Sequence, residues 1–468
     1  MTGADTVGRN AGMRLDRLPL LAFHLKIFAL IGAGMFLDGA ELYITAGVLG
    51  AVTKEGWSTM ALNATFISMT FVGMVCGAWL AGVLGDRYGR RFTYQFNLAV
   101  FGLASLAATL APNMETLIGL RFIMGIGLGA EVVVGYATLT EFVPARIRGQ
   151  MISWLAVVTN SSLVVCTFLS IWVIPRFGWR YMFLIVGVCA IAVWFMRKSM
   201  PESPRWLEAK GRFAEAEAIL AQIEGSSGPS SAPSPLPVAP VAASRQSSIS
   251  VVFSPAVLPR TLLGILINIV VGFCLYGFIN WLPTFFVRQG VAIVTSLQWT
   301  AVMALGAPLG ALIGVAVADR LGRKPVIIAA SLIAALFGAL FPLVGDGYLF
   351  MAVGFLLFTA IYVLLAIGFA LHIPELYQTE YRMRGTAVCS TAGRLVTAGV
   401  QYIVVALFAW GGVPAVVGTL VALLLTLAVV VALFGIETKQ RSLEEIGEGR
   451  PSRGEVGFIA GSRSNTVS

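Results

Sequence analysis

The 468-residue chain is 57% hydrophobic and only 12% charged, about half the charged share of a soluble domain, which is roughly 25%. With a mean hydropathy of +0.85 it has too little polar sequence for a water-facing surface, so its solvent is lipid. A net charge of +9 raises nucleic acid as a partner, but the placement of the charges excludes it.

Among the lysines and arginines, Arg121 and Arg394 lie inside apolar runs, and Lys54, Arg176, Arg180 and Arg288 fall on alternate loops. The rest collect in the two tails and on the remaining loops. That segregation is the positive-inside pattern, and it predicts a multi-pass protein of the cell (inner) membrane with both termini cytoplasmic.

Residues 1–24 read as a polar, basic cytoplasmic tail. The first apolar run is too long for a signal peptide and lacks a cleavage site, so it is expected to stay as a membrane helix. Runs of the roughly 20 residues that cross a bilayer lie near 25–48, 61–84, 92–112, 114–139, 150–174 and 179–196. A second six lie near 261–286, 296–317, 325–344, 347–373, 386–410 and 413–435. This predicts an all-α membrane protein of twelve helices in two bundles, 25–196 and 261–436. Between them, 197–260 reads as a cytoplasmic linker. Phe213, Ala216, Ile219 and Leu220 give its first part the spacing of an interfacial amphipathic helix. The Ser/Pro/Gly-rich stretch that follows reads as disordered, and 437–468 reads as a cytoplasmic tail.

The chain is also a duplication. The stretch Gly85-Asp86-Arg87-Tyr88-Gly89-Arg90-Arg91 is echoed by Ala318-Asp319-Arg320-Leu321-Gly322-Arg323-Lys324. Asp86 and Asp319 lie 233 residues apart, close to half the chain. Glu141 before Arg148 repeats as Glu375 before Arg384, and Glu202 repeats as Glu437, at offsets of 234 and 235. Three landmarks in one order at one period mark an internal repeat.

Asp38, Glu41, Arg121, Glu131 and Arg394 fall well inside the runs, where an ionisable group costs about 2.5–3.5 kcal/mol and faces a polar cavity or a partner. Asp38 and Glu41, three apart, share one helical face. Glu41 and Arg121 each lie seven residues from the outer end of their runs, roughly 10 Å deep, and can pair if helices 1 and 4 are neighbours. Such a pair is a proton switch, since protonation of the acid releases the arginine. The alternative is a permanent structural salt bridge. Glu131 and Arg394 are candidate cavity-lining groups, and Arg394 suits a carboxylate substrate; for each the alternative is a polar contact between helices. Tyr276, Asn280 and Trp281 precede Pro283, which interrupts helix 7, and broken helices often line a transporter's central site. Tyr43, Gln401 and Tyr402 are further candidates. Small residues four apart (Gly73 and Gly77, Gly125 and Gly129, Gly306, Gly310 and Gly314) predict close helix packing. The histidines His24 and His372 and the five cysteines form no metal-ligand or disulfide pattern, and no cofactor is expected.

Together these motifs resemble the major facilitator superfamily over essentially the whole chain outside the linker and tails. Gly82-x3-Asp86-Arg87-x-Gly89-Arg90-Arg91 is similar to its signature between helices 2 and 3. Pro201-Glu202-Ser203-Pro204-Arg205 and Glu437-Thr438-Lys439 resemble its sugar-porter-related branch. Asp38-Gly39-Ala40-Glu41, Gly129-Ala130-Glu131 and Gly393-Arg394 are similar to the aromatic-acid and metabolite–proton symporters within it. Glu41 stands for the branch's second aspartate, and Gln401-Tyr402 departs from its usual Gly-Pro.

The resemblance implies alternating access between two six-helix bundles. It also implies a cytoplasmic gate built from Asp86, Arg87, Arg90, Glu141 and Arg148, repeated in Asp319, Arg323, Glu375 and Arg384. The expected function is proton-coupled symport of a small organic acid, with Glu41, Asp38 and Arg121 coupling the proton. The expected partners are the substrate, protons and lipid, and the expected state is a monomer. A sugar or polyol transporter is the alternative, and a non-transporting nutrient receptor is a further one. No ATP-binding loop, nucleophile motif or metal cluster points to an enzyme.

Overall fold

The computed structural model describes residues 11–225, 249–344, 347–377 and 381–437. The outermost part of the amino-terminal tail, the low-complexity linker and the tail beyond Glu437 lie outside the described residues. Among the described residues, every regular element is helical.

A short helix α1 (Ala11–Arg17) precedes six long ones: α2 (Ala22–Lys54), α3 (Met60–Tyr88), α4 (Arg90–Thr109), α5 (Met114–Phe142), α6 (Ala145–Phe177) and α7 (Arg180–Arg197). Two short helices, α8 (Pro204–Ala209) and α9 (Phe213–Gly225), begin the linker. The second bundle starts with α10 (Leu258–Gly272), which continues through a π turn (Phe273–Phe278) and a 3-10 turn (Ile279–Trp281) into α11 (Leu282–Arg288). Then come α12 (Ile293–Ala304) with α13 (Gly306–Leu321), α14 (Arg323–Leu340), and α15 (Tyr348–Leu364), which passes through a π segment (Leu365–His372) into α16 (Ile373–Glu375). The last helix, α17 (Arg382–Phe434), has non-helical backbone at Gly411 and Gly412 and therefore forms two crossings.

Ten of these stretches are long and apolar enough to span a bilayer. The double crossing of α17 and the more polar α4 complete the twelve-helix architecture. In α4, Tyr94, Gln95 and Asn97 dilute the apolar run, but Tyr94 and Asn97 are buried against protein.

The two halves pack alike. In the first, α2 lies on α6, α3 on α5, and α4 on α7; in the second, α10 and α14 lie on α17, and α13 lies on α15. The glycine stripes make the closest of these approaches possible. A Cβ on Gly77 would collide with the Ile126 carbonyl, one on Gly129 with that of Met74, and one on Gly310 with that of Thr359.

The repeat extends to the turns joining α3 to α4 and α13 to α14. Gly89 (φ +96°) and Gly322 (φ +91°) adopt backbone angles that only glycine takes without strain. Each turn lies against an acid near the end of its half. The Glu202 carboxylate accepts from the backbone N–H groups of Arg90 (2.8 Å) and Arg91 (3.2 Å). The Glu437 carboxylate accepts from those of Arg323 (3.0 Å) and Lys324 (3.0 Å). The paired acids thus cap a helix N-terminus in each half, satisfying donors that have no partner within the helix. Burial pushes the Glu202 carboxyl up, and its backbone donors oppose that shift. These turns share one end of the molecule, the basic end, with α1, α8 and α9.

On α9, Ala216, Leu220 and Ile223 are buried against protein, while Phe213 is 41% exposed. Within the amino-terminal tail, α1 closes that face. Arg14 on α1 bonds Glu224 (2.6 Å) and Glu217 (2.6 Å) on α9, and the Ala11 N–H donates to Glu208 (2.9 Å).

Replacing Gly77 by alanine must push α3 from α5, an overpacking cost of about 1–3 kcal/mol. The expected outcome is a lowered unfolding temperature in detergent, whereas Gly82→Ala, with open space around it, should leave that temperature unchanged.

Candidate functional site: a charged central cavity between the bundles

Between the bundles lies a cavity of about 230 Å³. Asp38 and Tyr43 of α2, Phe71 of α3 and Tyr136 of α5 line one side. Tyr276, Phe369 and Arg394 line the other, from the second bundle. Both π segments border it, through Leu275 and Tyr276 and through Leu365 and Phe369. Each segment runs toward a proline, Pro283 or Pro374, whose missing N–H removes a helical hydrogen bond, and such bulges concentrate at functional sites.

The lining residues run from mid-helix toward the basic end, while the far ends are shut. There the Tyr43 and Tyr362 hydroxyls are 2.9 Å apart, and Asn280 Nδ2 donates to the Leu42 carbonyl (3.5 Å). The Tyr402 hydroxyl donates to Thr65 (3.3 Å), and the Phe71 and Tyr276 rings meet at 4.6 Å.

Of the residues expected to couple protons, Asp38 faces the cavity and Glu41 turns away from it into the first bundle. Glu41 is fully buried and ion-paired with Arg121. Arg121 also donates from Nη2 to Thr45 Oγ1 (2.6 Å) and the Glu41 carbonyl (3.0 Å), and from Nε to Thr70 Oγ1 (2.8 Å). Its guanidinium lies 4.9 Å from the Phe66 ring centroid. Asp38 Oδ2 is buried without a hydrogen-bond partner.

Arg394 is half-buried on the cavity wall, with no ion pair or hydrogen bond among the described residues. Tyr276 and Asp38 line the same cavity, Tyr276 from its own bundle and Asp38 from the opposite one.

Several expected substrate contacts lie elsewhere. Glu131 is paired with Arg197 (2.5 Å) behind the cavity wall. Asn280 borders a separate pocket of about 10 Å³ near the far end. Trp281 donates to Gln401 Oε1 (2.8 Å) inside the second bundle. Tyr402 faces outward, 46% exposed. The shared reason is helical phase, since neighbours on one helix point about 100° apart and proximity to a proline does not say which of them faces inward.

At the basic end, Arg90 bonds Glu141 (3.0 Å) and reaches Asp86 (3.5 Å). Its counterpart Arg323 binds Glu375 through two nitrogens, each at 3.0 Å. Arg148 instead pairs with Asp16 (2.7 Å), which also holds Arg205 (2.9 Å). Arg87 is exposed and lies over the Tyr88 ring, and Arg384 is half-buried at the start of α17. The Asp319 side chain lies outside the described residues. Arg197, Asp16, Phe71 and Tyr362 were not anticipated from sequence.

Comparison with known proteins agrees with this architecture. Residues 38–449 match the family model described as sugar (and other) transporter. The chain is 35% identical to the inner membrane metabolite transport protein YdjE of Escherichia coli (strain K12), covering 93% of this chain and 98% of that protein. It is 32% identical to the niacin transporter NiaP of Acinetobacter baylyi, over 93% and 99% of the two chains. Its fold superposes on a partially occluded inward-open conformation of the E. coli xylose transporter XylE with a TM-score of 0.71 at 18% identity, covering 90% of this chain and all of that one. A twelve-helix bundle pair with a charged cavity and a family match over most of its length make this chain a multi-pass membrane transporter, and it belongs to the sugar (and other) transporter family of the major facilitator superfamily.

Proposed function

We propose that the protein imports a small organic acid by proton-coupled symport, with its basic end in the cytoplasm. The observation that carries this reading is Arg394, a cation on the cavity wall with no counter-ion in contact. Its guanidinium is a fork that matches a carboxylate. Aromatic side chains on both walls suit a flat apolar body, and niacin, carried by one relative, is an aromatic carboxylic acid. The cavity is smaller than the roughly 300–1,000 Å³ of sites for drug-sized ligands, which favours a compact substrate.

In this reading the Glu41–Arg121 pair is the switch. Protonation of Glu41 frees Arg121, and with it the grip that joins α2 to α5 and α3. A neutral sugar is a poorer fit. Sugars need several free donors and acceptors, but Asn160 and Asn268 each commit one of their two amide hydrogens to the Ala156 (2.8 Å) and Gly264 (3.0 Å) carbonyls.

Reconstituted protein should accumulate labelled niacin, or another acid from a monocarboxylate panel, when an inward proton gradient is imposed. Glu41→Gln should lose accumulation and keep substrate exchange. Accumulation indifferent to the gradient, or competition by xylose and not by carboxylates, refutes the assignment.

Arg394→Ala removes a charge-assisted contact of about 1.5–3 kcal/mol. The expected result is a KM for the acid raised roughly tenfold to a hundredfold, with Arg394→Lys intermediate.

Tyr362→Phe deletes a hydrogen bond between the closed far ends, worth about 1 kcal/mol. It should increase labelling of a cysteine placed at Gly50 by an impermeant maleimide from the far side, by roughly fivefold.

A further inference from the structure

The first bundle holds a second buried ion pair that this transport cycle does not use. Glu131 and Arg197 are 2% and 1% exposed, and Arg197 closes α7. Besides Glu131, Arg197 donates from Nε to the Leu30 carbonyl (2.9 Å) and from Nη2 to that of Ile31 (3.3 Å). Its guanidinium lies 4.6 Å from the Tyr94 ring centroid. One side chain therefore ties α7 to α2, α4 and α5. Gly34 makes room for it, since a Cβ there would collide with both Arg197 and Glu131.

The surroundings are not those of a static clamp. Glu131 Oε2, Arg197 Nη1 and Asp38 Oδ2 are all buried without a hydrogen-bond partner. A buried pair serves stability only when its remaining hydrogen bonds are made, and each orphan costs about 1–3 kcal/mol. Spare capacity of this kind suits proton transfer, because a carboxyl or hydroxyl group both donates and accepts. The cavity lies one helical turn away along α2. Asp38 stands one turn after Gly34 on α2, on the same face, and borders the cavity.

We propose that Glu131 is a second proton-binding carboxylate, held by Arg197 as Glu41 is held by Arg121, and loaded from the cavity through Asp38. A proton from cavity water binds Asp38 and passes to Glu131 Oε2, forming an O–H bond there, while Arg197 keeps its own protons throughout. The groups acting on this site are Arg197 on α7, Tyr94 on α4 and Asp38 on α2, with Glu41 on α2 and Arg394 across the cavity acting on Asp38; Arg121 on α5 is engaged with Glu41. Helices α3 and α6, also packed on α5, carry no acid, lysine, arginine or histidine between Met60 and Gly85 or between Gly149 and Pro175.

This inference rests on the symport reading and adds its stoichiometry: two protons accompany one monocarboxylate, and one net positive charge crosses. Proteoliposomes clamped at zero potential with potassium and valinomycin read it directly, with labelled niacin as probe. At zero net flux, the wild-type niacin ratio should rise about a hundredfold per pH unit, and that of Glu131→Gln about tenfold. A tenfold wild-type slope, or a slope unchanged in Glu131→Gln, overturns the proposal. Retained niacin exchange shows that the variant is folded. If exchange is lost, the doubly neutral Glu131→Gln/Arg197→Met takes its place with the same expected slope.

Infrared difference spectra of the protein in bilayers need no substrate. A protonated-carboxyl C=O stretch should appear on acidification in wild type and be reduced in Glu131→Gln. Identical spectra refute the second site. Failure of any acid to accumulate, with the spectral difference present, refutes the symport reading alone.

Discussion

A charge in hydrocarbon must find an opposite charge or water, and that constraint arranges the interior of this protein. Among the described residues, three acids and three arginines lie buried or half-buried in the spanning helices around the cavity. Two pairs close within the first bundle, Glu41 with Arg121 and Glu131 with Arg197. What remains is one acid, Asp38, and one arginine, Arg394, on opposite bundles and bordering the same cavity. The cavity's polarity is thus the residue of a pairing problem that the first bundle cannot solve alone. Helix α5 contributes to both closed pairs through Arg121 and Glu131, ten residues or about 15 Å apart along its axis. Its glycines bring its backbone against α3 at that same level, so the polar chemistry and the tightest packing share one helix.

Much of this was legible in the chain. Charge rarity inside apolar runs singled out Asp38, Glu41, Arg121, Glu131 and Arg394, because lipid leaves few other reasons for them. Counting residues from the ends of two runs matched the depths of Glu41 and Arg121, and the helical rise is regular enough for such a count to hold. The glycine stripes marked faces of α3, α5 and α13 for close packing, and the fold sets α3 against α5 and α13 against α15 there. The 234-residue period marked two capping acids whose partners lie more than 100 residues away.

What stayed hidden depends on rotation and long-range partners. Arg197 stands beside Lys198 at the end of an apolar run, where a basic residue ordinarily reaches out to water. Only the packing of α7 against α2 and α4 turns it inward. Trp281 and Asn280 lie within a break whose π and 3-10 turns shift the helical phase, so periodicity could not say which faces the cavity. Asp16 lies in a tail with no local pattern, and its partners Arg148 and Arg205 are distant in sequence. The apolar stripe of α9 suits lipid and protein equally, and α1 decides the matter by covering it.

The two halves kept their scaffold and parted in their chemistry. The glycine turns, the capping Glu202 and Glu437, and the Arg90–Glu141 and Arg323–Glu375 contacts correspond closely, because each serves helix ends that both halves share. Inside the membrane the correspondence stops. The first bundle carries both ion pairs and Asp38, and the second offers Arg394 and aromatic surface. A symmetric distribution would let each bundle satisfy its own charges and leave the cavity without a free cation or acid. The asymmetry makes occupancy of the cavity an electrostatic matter between bundles. An anion seated on Arg394 changes what Asp38 faces, and a proton on Asp38 changes what Arg394 faces. On the proposed reading, that mutual dependence links substrate to proton, and it needs both halves of the duplication to have diverged.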